Sequence, residues 1–233
     1  MAVATGRRAV VLRPDGTEVW ATEPAPGTVT GIGWLRGGRR LAVAAYGAVR
    51  CHEHHRPAPV STYPHAGSHP ALAIAPTGRW ICCGGHDAAL HVWRTHDGDE
   101  VTMPGDPAKV SRPAFDDTGR WLAADGASDV TVRDLSGTGP AGTGPRTLRA
   151  HEAVTALAWR PGTRAHLATG GDDGTLALWH AAAGRPGERL GPVRRYELGA
   201  RVTALAWCGP GLLVAATRDG RIAALRLPDG IRL

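Results

Sequence analysis

Short runs with an alternation of large and small residues recur along this chain, and each is closed by a turn. In Val154-Thr-Ala-Leu-Ala-Trp159 the alternation is clear; a Pro-Gly turn leads to Leu167-Ala-Thr169, and an Asp-Gly turn leads to Thr175-Leu-Ala-Leu-Trp179. A period of two is that of a half-buried strand, and Gly or Pro punctuation every 8 to 12 residues leaves no room for helices. The same block returns as VTGIGWLRGGRRLAVAAYGAVRCHE, ALAIAPTGRWICCGGHDAALHVWR, SRPAFDDTGRWLAADGASDVTVRD and VTALAWCGPGLLVAATRDGRIAALR. One mostly aromatic column falls at Trp34, Ile74, Phe115, Trp159 and Trp207, with spacings of 40, 41, 44 and 48. A second falls at Leu12, His52, Trp93, Arg133, Trp179 and Leu225, with spacings of 40, 41, 40, 46 and 46. The Gly/Pro/Ser/Thr stretch Ser136 to Pro145 and the insert Ala181 to Pro192 account for the longer late intervals.

A fourth strand fits after each third one, at Glu18 to Ala21, Val60 to Tyr63, Glu100 to Met103, Arg146 to Arg149 and Val193 to Leu198. Four antiparallel strands in about 42 residues make the blade of a β-propeller, which leaves only short, protected sheet edges. The pattern predicts an all-β propeller of four-stranded antiparallel blades, one domain over residues 1–233. A half blade at 6–27 precedes five repeats at about 28–65, 66–106, 107–149, 150–199 and 200–233. Six third strands stand against five first-and-second pairs, so the expectation is an incomplete ring from a truncated chain. Its open edges would be ones that a second copy could cover.

On these residues the chain resembles the WD-repeat propellers. The fourth repeat carries His151 before its first strand, Thr169 on its second, Asp173 in the next turn and Trp179 on its third. The resemblance implies a hydrogen-bonded structural tetrad of these four, since a buried carboxylate and an indole N–H both need partners. The second repeat keeps Asp87 and Trp93 but has Cys83 at the Thr position; the fifth keeps Asp219 but has Leu225 at the Trp position. No repeat contains the Trp-Asp dipeptide itself.

Composition narrows the function. The chain has 27 Lys and Arg against 21 Asp and Glu, for a formal charge of +6, and Lys109 is its only lysine. That arginine bias reads as a GC-rich, bacterial coding sequence, which weakens a nucleic-acid reading of the charge. No apolar run approaches the 18 or so residues of a membrane span, and no signal-peptide core follows Arg7-Arg8. Four cysteines, two of them adjacent, show no CxxC spacing. The expectation is a soluble, cytoplasmic protein without a cofactor.

The chain has no Gly-x-Ser-x-Gly, phosphate loop or nucleotide fingerprint, and Asp116-Asp117 and Asp172-Asp173 sit in turns. No catalytic residue is therefore assigned. The function expected is a non-enzymatic protein–protein interaction scaffold, with a protein or peptide partner on a rim of His65, His86, Lys109, Arg112, Arg201 and Arg218. Two alternatives remain. One is RNA or ribosome association through surface arginines, although no aromatics interleave them as a stacking platform requires. The other is zinc handling by Cys51, His52, His54 and His55 within the Cys51–His69 stretch; on a strand these residues point to opposite faces.

Overall fold

Turns cut the chain into strands of two to six residues. The computed structural model describes residues 1–68, 71–85, 87–103, 109–137, 139, 143–163 and 165–227. The chain divides into two units, Met1–Pro113 and Ala114–Leu233.

The first unit holds three antiparallel sheets, each a meander in chain order. They are β1 (Ala2–Thr5), β2 (Arg8–Leu12) and β3 (Glu18–Ala21); β4 (Gly31–Trp34), β5 (Arg40–Ala45), β6 (Ala48–Glu53) and β7 (Ser61–Pro64); and β8 (Ala71–Ile74), β9 (Trp80–Gly84), β10 (Leu90–Arg94) and β11 (Glu100–Met103). The N-terminal stretch therefore has a strand ahead of the two expected ones. The turn at Gly6 folds Ala2–Thr5 back onto β2, with Ala2 opposite Val11 and Thr5 opposite Arg8. Ala9, Val11, Trp20, Leu41 and Val43 form the core between the first two sheets, and Ala42, Ala44, Val49, Ile81, Cys83 and Trp93 the core between the next two. β4 and β8 lie so close that a Cβ on Gly31 would stand 2.8 Å from that of Leu72.

The second unit continues the pattern with β12 (Ala114–Phe115), β13 (Trp121–Gly126), β14 (Asp129–Asp134), β15 (Arg146–Arg149), β16 (Val154–Trp159), β17 (His166–Gly171), β18 (Thr175–His180), β19 (Arg189–Leu190), β20 (Arg194–Glu197), β21 (Val202–Trp207), β22 (Leu212–Thr217) and β23 (Ile222–Arg226). Its sheets run β12-β13-β14-β15-β19, β16-β17-β18-β20 and β21-β22-β23. The long insert is not a bare loop: β19 pairs parallel with β15, Thr147 opposite Arg189, and covers that sheet's outer edge. The Arg146 guanidinium ties it down by donating to the carbonyls of Ala183 and Gly184, each at 3.1 Å.

The aromatic column has one structural role. Trp34, Ile74, Phe115, Trp159 and Trp207 are each the last residue of a sheet's first strand. Within the second unit, Trp159 Nε1–H donates to Ala114 O at 2.9 Å and Trp207 Nε1–H to Ala158 O at 3.1 Å. Each indole thus reaches the first strand of the preceding sheet. The fold is an all-β propeller architecture of antiparallel blades. Among the described residues no helix is long and apolar enough to cross a membrane.

Candidate functional site

The fourth repeat gathers its polar residues inside the blade. Trp179 Nε1–H donates to Thr169 Oγ1 at 2.9 Å, and Thr169 Oγ1 lies 2.8 Å from His151 Nε2. His151 Nδ1 lies 2.9 Å from Thr175 Oγ1, which donates to Asp173 Oδ1 at 2.8 Å. One proton arrangement satisfies the chain: Nδ1 of His151 carries the proton toward Thr175, and the Thr169 hydroxyl donates to Nε2. The four expected residues are thus brought together, with Thr175 as a fifth member inserted between His151 and Asp173. Burial holds the His151 pKa below its ordinary value, partly offset by the Asp173 charge. Burial works against ionisation of Asp173, yet the backbone and hydroxyl of Thr175 hold its carboxyl below the usual range. A Cβ on Gly171 would fall 2.3 Å from Asp173 Oδ1 and 2.5 Å from His151 Nδ1, so only glycine fits there.

The second repeat solves the same problem differently. Asp87 stands where Asp173 does, but its partner is His91 from the middle of β10: His91 Nε2 lies 3.0 Å from Asp87 Oδ2. The other ring nitrogen, Nδ1, lies 2.8 Å from Glu100 Oε1 on β11. His65, just beyond β7 in the neighbouring sheet, packs its ring 3.5 Å from that of His91, with Nδ1 3.9 Å from Glu100 Oε1. Burial, then the proximity of His91, lowers the His65 pKa. Burial opposes the ionisation of Asp87, but the His91 bond and charge keep its carboxyl below the usual range. Trp93 of this repeat is buried in the core.

Sequence reading left out His91 and Glu100. The signal was there: the turn through Gly98 sets Trp93 opposite Glu100, and alternation places His91 on the Trp93 face, diagonal to Glu100.

In the fifth repeat Asp219 accepts from Thr217 Oγ1 at 2.5 Å and from Arg221 Nε at 2.7 Å, with no tryptophan involved. The Thr217 hydroxyl, then Arg221, draws its pKa down.

The rim residues fall in both units. His65, Lys109 and Arg112 belong to the first, with Lys109 and Arg112 exposed. Arg201 and Arg218 belong to the second, both exposed, and stand side by side because Arg218 N–H donates to Arg201 O at 2.8 Å. His86 lies outside the described residues. The Cys51–His55 set does not converge. Burial pushes the Cys51 thiol up to about 11, and His52 spends its Nδ1–H on Pro57 O at 2.8 Å. His54 and His55 stack on one another edge to face at 3.9 Å. Among the described residues, the His/Cys/Asp/Glu group whose ligand atoms lie within 4.8 Å of one another is His65, His91 and Glu100.

Two stretches, residues 58–94 and 142–180, match the family model described as "WD domain, G-beta repeat". Each runs from the fourth strand of one sheet, β7 or β15, to the third strand of the next, β10 or β18. The repeat is thus one strand out of phase with the blade. A ribosome biogenesis protein WDR12 homolog from Chlamydomonas reinhardtii is 26% identical over 215 residues, covering 84% of this chain and 47% of that protein. The chain thus spans about half the length of the curated relative it matches. A chain from a crystal structure of the mitotic checkpoint complex superposes with a TM-score of 0.78 at 24% identity, covering 97% of this chain and 70% of that one. That likeness shows the fold.

Proposed function

We propose that this chain, two stretches of which match the WD-repeat family model, is a non-enzymatic scaffold that binds an acidic protein or peptide. The observation that carries this reading is where its polar chemistry lies. His151, Thr169, Thr175 and Asp173, the residues most like a catalytic set, satisfy one another inside a blade, whereas Arg201 and Arg218 stand exposed and adjacent at one loop edge. Neither guanidinium makes an ion pair among the described residues. Paired exposed cations steer an acidic surface and set its register more than they add affinity. A fold alone names no partner; that edge is what selects an acidic one.

The test is charge reversal. Arg201→Glu with Arg218→Glu is expected to abolish capture of the acidic partner from the native cell while leaving thermal stability unchanged. Unchanged capture contradicts the assignment.

A second reading is association with ribosome precursors, and the specific observation behind it is the ribosome-biogenesis name of the relative, joined to the net charge of +6. Against it, none of the eight tryptophans is exposed and Tyr46 is the one exposed Tyr or Phe among the described residues, so the arginines have no row of aromatic rings for single-stranded RNA to stack on. Bulk RNA binding that falls steeply with salt would favour this reading, since each neutralised phosphate releases a counterion; flat or absent binding removes it.

A further inference from the structure

We propose that His65, His91 and Glu100 form a divalent-cation site of the zinc class that clamps two neighbouring sheets of the first unit. The proposal does not depend on the scaffold reading. His65 lies just beyond β7 of one sheet, and His91 and Glu100 come from β10 and β11 of the next.

The His91 ring is only 3% exposed and faces a carboxylate oxygen at each nitrogen, Asp87 Oδ2 at 3.0 Å and Glu100 Oε1 at 2.8 Å. A neutral imidazole has one N–H and one lone pair. With the N–H on Nε2 directed to Asp87, the Nδ1 lone pair of a neutral ring confronts an acceptor; either a second proton on Nδ1 or a metal cation between Nδ1 and Glu100 resolves the conflict, and the nearby third donor is what points to the metal. A histidine that binds metal through one nitrogen characteristically donates the other N–H to a carboxylate, and Asp87 is so placed. The third donor, His65 Nδ1, lies 3.9 Å from the same Glu100 oxygen. Zinc bonds of about 2.0–2.1 Å in tetrahedral geometry separate ligand atoms by about 3.3 Å, between the 2.8 and 3.9 Å found here. Two imidazoles on one tetrahedral ion hold their ring centroids about 5 Å apart, against 3.5 Å here, so binding requires the His65 ring, at the surface side of the cluster with Glu100, to swing outward from His91. Two imidazoles and one carboxylate are a borderline donor set that suits zinc over magnesium or calcium, and three protein ligands leave the fourth position to water.

The test uses the full chain, without a histidine tag and stripped with a chelator, titrated with Zn²⁺ against a chromophoric competitor and with Co²⁺ as spectroscopic probe. The expected result is one metal per chain, a tetrahedral Co²⁺ visible spectrum and a higher melting temperature with zinc. His65→Asn and Glu100→Gln should each weaken binding at least ~10-fold, and Asp87→Ala, which removes only the orienting bond, about 10-fold or more. His54→Gln with His55→Gln should leave it unchanged. Circular dichroism of the metal-free variants establishes that they fold; should His65→Asn fail to, Glu100→Gln and Asp87→Ala decide the matter. Absence of stoichiometric binding, binding indifferent to Glu100→Gln, or loss in the His54/His55 variant overturns the proposal.

Discussion

Thr169 Oγ1 serves two buried groups at once, the indole N–H of Trp179 and the imidazole of His151. Replacing Thr169 by Val keeps the volume and removes both bonds, leaving a buried donor and a buried ring nitrogen without partners. A loss of about 1–3 kcal/mol in urea unfolding is expected, because stranded buried polar groups cost their full desolvation; Thr169→Ser should restore most of it. His151 makes the blade sensitive to acid. Its pKa is lowered from the ordinary 6.5 by burial, so below pH 6.5 the unfolded chain takes up a proton that the folded chain resists. The stability this provides is complete above pH 6.5 and is lost as pH falls through the folded value. Burial lowers the pKa of His52 and His166 in the same direction. The melting temperature should therefore be level above neutrality and fall as pH drops below 6.5; a rise on acidification would contradict this account.

At the scale of strands, close approach between neighbouring sheets limits what a position tolerates. A Cβ on Gly170 in β17 would stand 2.5 Å from Val202 Cγ1 in β21. Gly170→Ala is expected to force the two strands apart and cost about 1–3 kcal/mol by the same unfolding measurement; Val202→Ala in the same chain should recover part of the loss. The strands were the most legible feature of the sequence: the expected fourth strands at Glu18–Ala21, Glu100–Met103 and Arg146–Arg149 coincide with β3, β11 and β15. Alternation and turn residues are local, so they can be read without knowing what packs where. β1 and β19 escaped notice because nothing in Ala2–Thr5 or Arg189–Leu190 repeats elsewhere, and a partner strand, not the run itself, makes each one a strand. The tetrad was visible through its family spacing. Strand alternation makes the His91–Glu100 diagonal legible, but not its meeting with His65, because that joins residues of two sheets and no repeat-wide column contains it.

At the scale of the whole chain, the offset between repeat and blade is an organising device. Each matched repeat gives its first strand to one sheet and the next three to its neighbour, so consecutive sheets are joined by chain as well as by side chains. Tryptophans at the ends of first strands add indole-to-carbonyl bonds to that linkage in the second unit. Such an arrangement couples each blade mainly to its neighbours. Strand-resolved amide hydrogen exchange tests this most directly. The slowest exchange is expected in the strands paired on both sides, such as β5, β9, β13, β17 and β22, and faster exchange in the outer strands β7, β11 and β20. Trp207→Phe, which removes the indole donor, should raise exchange in β16 and β21 together and leave the first unit unchanged. Protection that ignores strand position, or a Trp207→Phe effect confined to β21, would contradict it.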